Sequence, residues 1–163
     1  MTGELILRIL VAALFGGMIG LEREYRDKSA GFRTHFLVAM GSALFMIISQ
    51  FGFEAAIAHA DGVDLRLDPS RVAAQVVSGI GFIGAGTIMF QKNSIRGLTT
   101  AAGIWVTAAI GLACGGGLYV IALVSTLLVL AGLEAFNFFL HRLDQRRDKE
   151  KTTTNNTAES SQS

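Results

Sequence analysis

Uncharged apolar runs of about membrane length alternate with short charged segments along the 163 residues of the chain. A helix crossing the hydrocarbon core of a bilayer needs about 20 mostly apolar residues at about 1.5 Å each. Five stretches meet that requirement: about Leu5 to Leu21, His35 to Phe53, Arg71 to Phe90, Leu98 to Cys114 and Leu118 to Leu140. The pattern predicts an all-α membrane protein, a bundle of about five transmembrane helices. The punctuation between the runs agrees. Asp68 suits an N-cap and Pro69 the first helical position of the third span. Asn93-Ser94 forms the turn before the fourth, and Gly115-Gly116-Gly117 breaks the chain before the fifth. The first run is short, which places Glu4 and Arg8 at the interface, four residues apart, with Arg8 snorkelling to the headgroups. No basic region precedes that run and no clear A-x-A site follows it, so it reads as a span and not as a cleavable signal.

Charge then gives the bundle a direction. Arg23, Arg26, Lys28 and Arg33 lie between spans one and two, and Lys92 and Arg96 between three and four. Arg142, Arg146, Arg147, Lys149 and Lys151 follow span five. A five-span path puts these three segments on one side, the cytoplasmic one by the bias of basic residues. The connection holding Glu54, Asp61, Asp64 and Asp68 falls on the other side, with the N-terminus. Glu22 to Arg33 can continue the first helix past the membrane surface, through Glu22/Arg26 and Arg23/Asp27 pairs. Residues 1–145 read as one transmembrane domain, and 146–163 as a polar cytoplasmic tail without an apolar face, expected to be disordered.

Composition sharpens the picture. Apolar residues make up 51% and charged residues 17%, against about 25% charged in soluble domains. The net charge of +1 gives no global attraction to nucleic acid. The single cysteine, Cys114, excludes an intrachain disulfide and a cysteine-rich metal site. His35, His59 and His141 lie too far apart for a metal-binding spacing, so no metal or cofactor is expected. Nineteen glycines against one proline suit helices that approach closely in lipid.

Gly79-Ile80-Gly81-Phe82-Ile83-Gly84 fits the GxGxxG dinucleotide pattern, but it sits inside an apolar run instead of between a strand and a helix. Helix packing is the better reading. Gly81 and Ala85 form a small-xxx-small pair, as do Gly16 and Gly20, and Gly103, Thr107 and Gly111 form a third set. Gly79, Gly84 and Gly86 join the same packing class. Gln75 and Ser78 are polar positions within the third span, with Thr87 near its inner end. Serine and threonine can bond their own helix carbonyls, whereas at Gln75 packing and function both stay open. Arg71 lies beside Asp68 at the outer mouth, where an ion pair contributes little. Arg33 and Arg96 at inner mouths anchor the helices, or pair with Glu22 or Glu24, or bind an anionic headgroup. Glu134 is the one carboxylate within a span, near Asn137 and His141, and is a functional candidate on that ground. No polar grouping has catalytic spacing, so no enzymatic activity is expected.

Three segments carry a resemblance. Gly20-Leu21-Glu22-Arg23-Glu24 with Ala30-Gly31-Phe32-Arg33-Thr34-His35 resembles the first cytoplasmic connection of the MgtC/SapB membrane proteins. The run from Asp68 through Arg71, Gln75, Ser78 and Gly79 to Gly86 is similar to that family's longest signature, and Arg96-Gly97-Leu98-Thr99-Thr100 to Trp105 to its third. The matches keep order and cover roughly residues 5 to 135. The resemblance implies a five-span bacterial inner-membrane protein, linked to magnesium limitation, acid stress and, in intracellular pathogens, survival inside macrophages. It implies a regulator that works through membrane partners, the proton-translocating ATP synthase being the family's example. Virulence members carry an ACT-like domain after the spans where this chain has a short tail. They have asparagine at the position of Thr99 and cysteine at that of Val106, while Cys114 matches their second cysteine. Two functions follow: a regulator bound to a membrane-protein partner, with a homo-oligomer as a further partner state, or a small oligomeric channel or transporter for Mg²⁺ or protons. In the second, Asp68, Gln75 and Glu134 are the polar stations.

Overall fold

The computed structural model describes residues 2–53, 68, 70–91 and 94–135. They form five helices and one small hairpin: α1 (Thr2–Tyr25), α2 (Phe32–Phe51), α3 (Ser70–Ala85), β1 (Met89–Gln91), β2 (Ser94–Arg96), α4 (Leu98–Gly115) and α5 (Tyr119–Ala135). By length and composition α1, α2 and α4 suffice to cross a membrane. The chain divides after Leu127 into two units. The first holds everything from α1 to the opening turns of α5, and the second holds α5 from Leu128 onward. Residues 54–67, which include Glu54, Asp61 and Asp64, and the polar tail fall outside the described residues, as do Asn137 and His141.

Within the first unit, α1, α2 and α4 pack on one another by glycine. A Cβ on Gly16 would lie 2.5 Å from the Ala39 Cβ, and one on Gly20 would lie 2.7 Å from the Phe32 Cα. Those contacts run α1 antiparallel to α2. A Cβ on Gly111 would lie 2.3 Å from the Ala39 carbonyl oxygen, and one on Gly115 would lie 2.5 Å from that of Ala43. The rising order on both helices makes α2 and α4 parallel. Contacts this close need small residues, because backbone meets backbone.

Helix α1 runs past the expected Leu21 to Tyr25. Glu22 and Arg26 support the added turn with a 3.7 Å ion pair at i,i+4. Asp27 ends it in the left-handed region at φ 52, and the Lys28 amide donates to the Arg23 carbonyl at 3.0 Å, the bond pattern of a Schellman stop. Helix α2 starts at Phe32, three residues before the expected His35.

The third span differs from the sequence expectation. Helix α3 stops at Ala85, and Met89 and Phe90 belong to a strand, not to the helix. Thr87 is the cause: its hydroxyl donates to the Gly84 carbonyl at 2.8 Å and its amide to the same oxygen at 3.0 Å, a local alternative to the helical ladder. The chain then pairs Met89 with Arg96 and Gln91 with Ser94, antiparallel. Gly97 closes the hairpin at φ +91, where a Cβ would stand 2.0 Å from the Thr87 carbonyl, so only glycine fits. Asn93 lies outside the described residues.

Candidate functional site

Polar groups of the first unit gather in three places. One is the turn between α1 and α2. Arg23 is 3% exposed and points its guanidinium at Glu22, whose second oxygen accepts from Arg23 Nη2 at 2.7 Å. Glu24 turns the other way: its carboxylate accepts the Phe32 amide hydrogen at 2.7 Å. A side chain of α1 thereby caps α2, placing negative charge where the helix exposes unpaired N–H groups. Next comes His35, fully buried, whose Nδ1 lies 2.9 Å from the Gly31 carbonyl. A carbonyl can only accept, so Nδ1 carries the proton and Nε2 keeps its lone pair. Arg23 and the partly buried Glu22 lie near enough to His35 for their charges to act on its ring. Arg33 lies on the same turn and is exposed. Arg96 is exposed on β2 and Thr99 is exposed in the first turn of α4. Glu22 and Glu24 engage Arg23, Arg26 and the Phe32 amide, not Arg33 or Arg96.

The second place is a groove between α2 and α3, with a cavity of about 760 Å³. Its walls are apolar, with Leu37, Phe45, Ile80 and Ile83 among them, and Arg71, Gln75 and Ser42 are its polar lining. Gly41 and Gly79 leave it open, since a Cβ at either would meet nothing within 4 Å. Asp68 stands before α3 and its Oδ1 accepts the Ser70 amide hydrogen at 2.9 Å. The Ser70 hydroxyl and amide, with Arg71 close by, hold this exposed carboxyl below the usual carboxylate range. It serves as a cap, as its position before Pro69 predicts.

Ser78 and Gly81 lie on the outer face of α3 together with Phe82, which is 83% exposed. Only Ile80 and Gly84 of this helix are buried. Ile80 packs with Ala30, Ile104 and Ala108, and Gly84 faces Ala101 at ordinary contact distance. Gly86 follows the helix end, its amide donating to the Phe82 carbonyl at 3.1 Å. Glu134 is exposed one residue before the end of α5, in the second unit.

Two features escape the sequence pattern. One is the third polar place, around Arg8, which is not a simple snorkelling residue. Its side chain is 12% exposed and bridges Glu4 at 2.6 Å, Gln50 at 3.2 Å and the Gly115 carbonyl at 2.9 Å. It thereby ties α1 to the ends of α2 and α4, and it caps α4 with a cation where the helix dipole favours one. The Gly115-Gly116-Gly117 break was the available signal. A side chain on Gly117, at φ +80, would crowd the Arg8 guanidinium at 3.3 Å. The second feature is Thr107, fully buried with its hydroxyl unpartnered among the described residues.

Comparison with known proteins adds the family context. The MgtC family model matches residues 9–142. A protein of Escherichia coli K12 named putative magnesium transporter YhiD is 53% identical over 143 residues, covering 88% of this chain and 65% of that protein. A Haemophilus influenzae protein is 40% identical over 158 residues, 94% of this chain and 65% of its own length. Protein MgtC of Salmonella typhimurium is 43% identical over 141 residues, 86% of this chain and 54% of its own. The chain therefore spans about two thirds or less of these relatives. No solved structure matches it.

Proposed function

This chain belongs to the MgtC family, and from that premise we propose that it is a non-enzymatic, multi-pass regulator of the bacterial inner membrane that acts by docking another membrane protein under low magnesium or acid stress. The observation that carries the reading is the outer face of α3. That helix leaves Ala74, Ser78, Gly81, Phe82 and Ala85 uncovered, while glycine contacts close α1, α2 and α4 on one another. A small-residue face in lipid gains from the close approach of a second helix, since apolar burial alone gives no drive there. The partner is then a transmembrane helix, and the proton-translocating ATP synthase is the candidate that the family resemblance supplies. The basic residues between α1 and α2 put that connection on the cytoplasmic side.

The transport reading draws on one specific observation, the magnesium-transporter name of the Escherichia coli relative. Within this chain its polar stations would be Asp68 and Gln75 in the first unit and Glu134 in the second. A Mg²⁺ path usually needs several oxygen ligands around retained water, and the groove walls are largely apolar.

A photoreactive side chain at Phe82 in living cells tests the regulator. The expected product is an adduct with another membrane protein. Adducts confined to lipid or to a second copy would overturn it. Mg²⁺ and proton flux in proteoliposomes, beside a working channel control, tests the alternative, and no flux above empty vesicles is expected.

A further inference from the structure

We propose that the groove between α2 and α3 seats one phospholipid of the bilayer, its phosphate on Arg71 and an acyl chain along the apolar wall toward Ile83.

The order of the lining residues along α3 carries the argument. Arg71 stands at one end, Gln75 lies one turn on, and Val76, Gly79, Ile80 and Ile83 complete that wall. Cation, amide and hydrocarbon follow one another along the groove, in the order in which a phospholipid presents phosphate, ester carbonyl and chain. The facing wall from α2 is apolar apart from Ser42, which is 3% exposed and presents little surface. A guanidinium gives a phosphate two parallel hydrogen bonds. Among the described residues no carboxylate forms an ion pair with Arg71. The nearby Asp68 is engaged elsewhere, its Oδ1 accepting from the Ser70 amide.

The dimensions suit one lipid leaflet. From Arg71 to Ile83 the α3 wall runs about 18 Å, at about 1.5 Å per residue. The hydrocarbon of one leaflet is about 15 Å deep, half of the bilayer core. A helix from a partner or a second copy would cross the whole core, about 30 Å, and would meet this groove over only part of its length. The room comes from both walls, since a Cβ at Gly41 or at Gly79 would meet nothing within 4 Å. The cavity of about 760 Å³ falls within the range of about 300–1,000 Å³ for pockets that bury small ligands. In lipid an apolar chain gains little by leaving its neighbours. The Arg71 contact therefore sets how long the lipid stays, and the groove selects a molecule that has both parts.

The test is native mass spectrometry of the full chain, delipidated in detergent and titrated with three probes. These are dioleoyl phosphatidylglycerol, dioleoylglycerol, which keeps the chains and lacks the phosphate, and inorganic phosphate. One tight phospholipid per chain is expected, with dioleoylglycerol and phosphate each bound roughly tenfold more weakly or less, as loss of a charged hydrogen bond implies. Arg71→Gln lowers phospholipid affinity by that factor, and Gly79→Leu, which fills the groove, by a similar one. Gly41→Leu fills it from the facing wall and replaces Gly79→Leu where circular dichroism shows that variant misfolded. Arg33→Gln, at an exposed arginine outside the groove, leaves affinity unchanged. Binding weakened by Arg71→Gln but kept in the leucine variants is a headgroup contact at the surface and overturns the seat. Binding that ignores Arg71→Gln, or falls equally with Arg33→Gln, is annular lipid and also overturns it. So does inorganic phosphate held as tightly as the lipid. A photoreactive side chain at Phe45, on the groove wall, should label lipid in cells; an adduct with a second copy or with another protein gives the groove to a helix and overturns the proposal.

Discussion

Glycine plays opposite parts in the two halves of the first unit. In α1 and α4, Gly16, Gly20, Gly111 and Gly115 are places where another backbone already lies, with 2.3 to 2.7 Å to the nearest atom of a hypothetical Cβ. In α3, Gly79 and Gly81 face open space. Along the sequence the two sets look alike, as small residues in apolar runs. The first set locks three helices of one chain together. The second opens a groove at Gly79 and leaves bare a face at Gly81. The small residue is necessary for close approach in both cases, but only the fold determines whether the approaching helix comes from the same chain.

Substitution breaks this comparison most sharply at Gly111. Gly111→Ala drives a methyl into the Ala39 carbonyl, a rigid backbone atom, and should destabilise the protein by about 3 kcal/mol, read as a loss of thermal stability in detergent. Gly81→Ala makes the same chemical change against open space. It should stabilise α3 by up to about 1 kcal/mol, the usual helix preference for alanine over glycine. If the outer face of α3 docks a partner, the Phe82 photo-adduct should fall in the same variant although the fold is firmer. If α3 has no partner, Tm rises and the adduct pattern does not change.

Smaller effects separate the ends of the helices. Arg8→Met keeps the apolar stem but strips the charged bonds to Gln50, Glu4 and the Gly115 carbonyl. It should cost about 2 kcal/mol and loosen the α4–α5 turn, visible as faster amide exchange at Gly116 and Gly117. Glu24→Ala removes the cap on the Phe32 amide and should cost about 1 kcal/mol, felt at the start of α2. The smallest effect is at Asp68. Its carboxyl titrates below the usual carboxylate range in the folded chain, so its cap on α3 is fully present above the ordinary aspartate value. The cap is lost as pH falls through the lowered value. Exchange of the Ser70 amide should therefore rise only in that acid window, and Asp68→Asn should flatten the response.

Much of the architecture could be read from the chain. The apolar runs located all five helices, because a span length is a local count of residues that lipid tolerates. The Gly115-Gly116-Gly117 break and the Asp68 cap were likewise local signals. The end of the third span was not legible. Met89 and Phe90 are apolar enough to continue it, and hydropathy cannot register that the Thr87 hydroxyl turns back on Gly84. Of the site residues, Glu22, Arg23, Arg71 and Gln75 stood out by charge or polarity in apolar surroundings. Which carboxylate serves which partner did not: the spacing allowed Glu24 to pair with Arg33, and the fold gives it to a backbone amide. Arg8 looked like an interfacial residue because its partners Gln50 and Gly115 are far along the chain.

By itself the sequence determined the class of solvent, the five helices of the described residues and most of the points where the chain turns. Each of these follows from a free energy that is local and nearly additive along the chain. The tertiary structure decided which glycine has a neighbour, which arginine is buried and which carboxylate serves which partner. Those depend on distances between segments up to 107 residues apart, such as Arg8 and Gly115, and close packing sets such distances all at once.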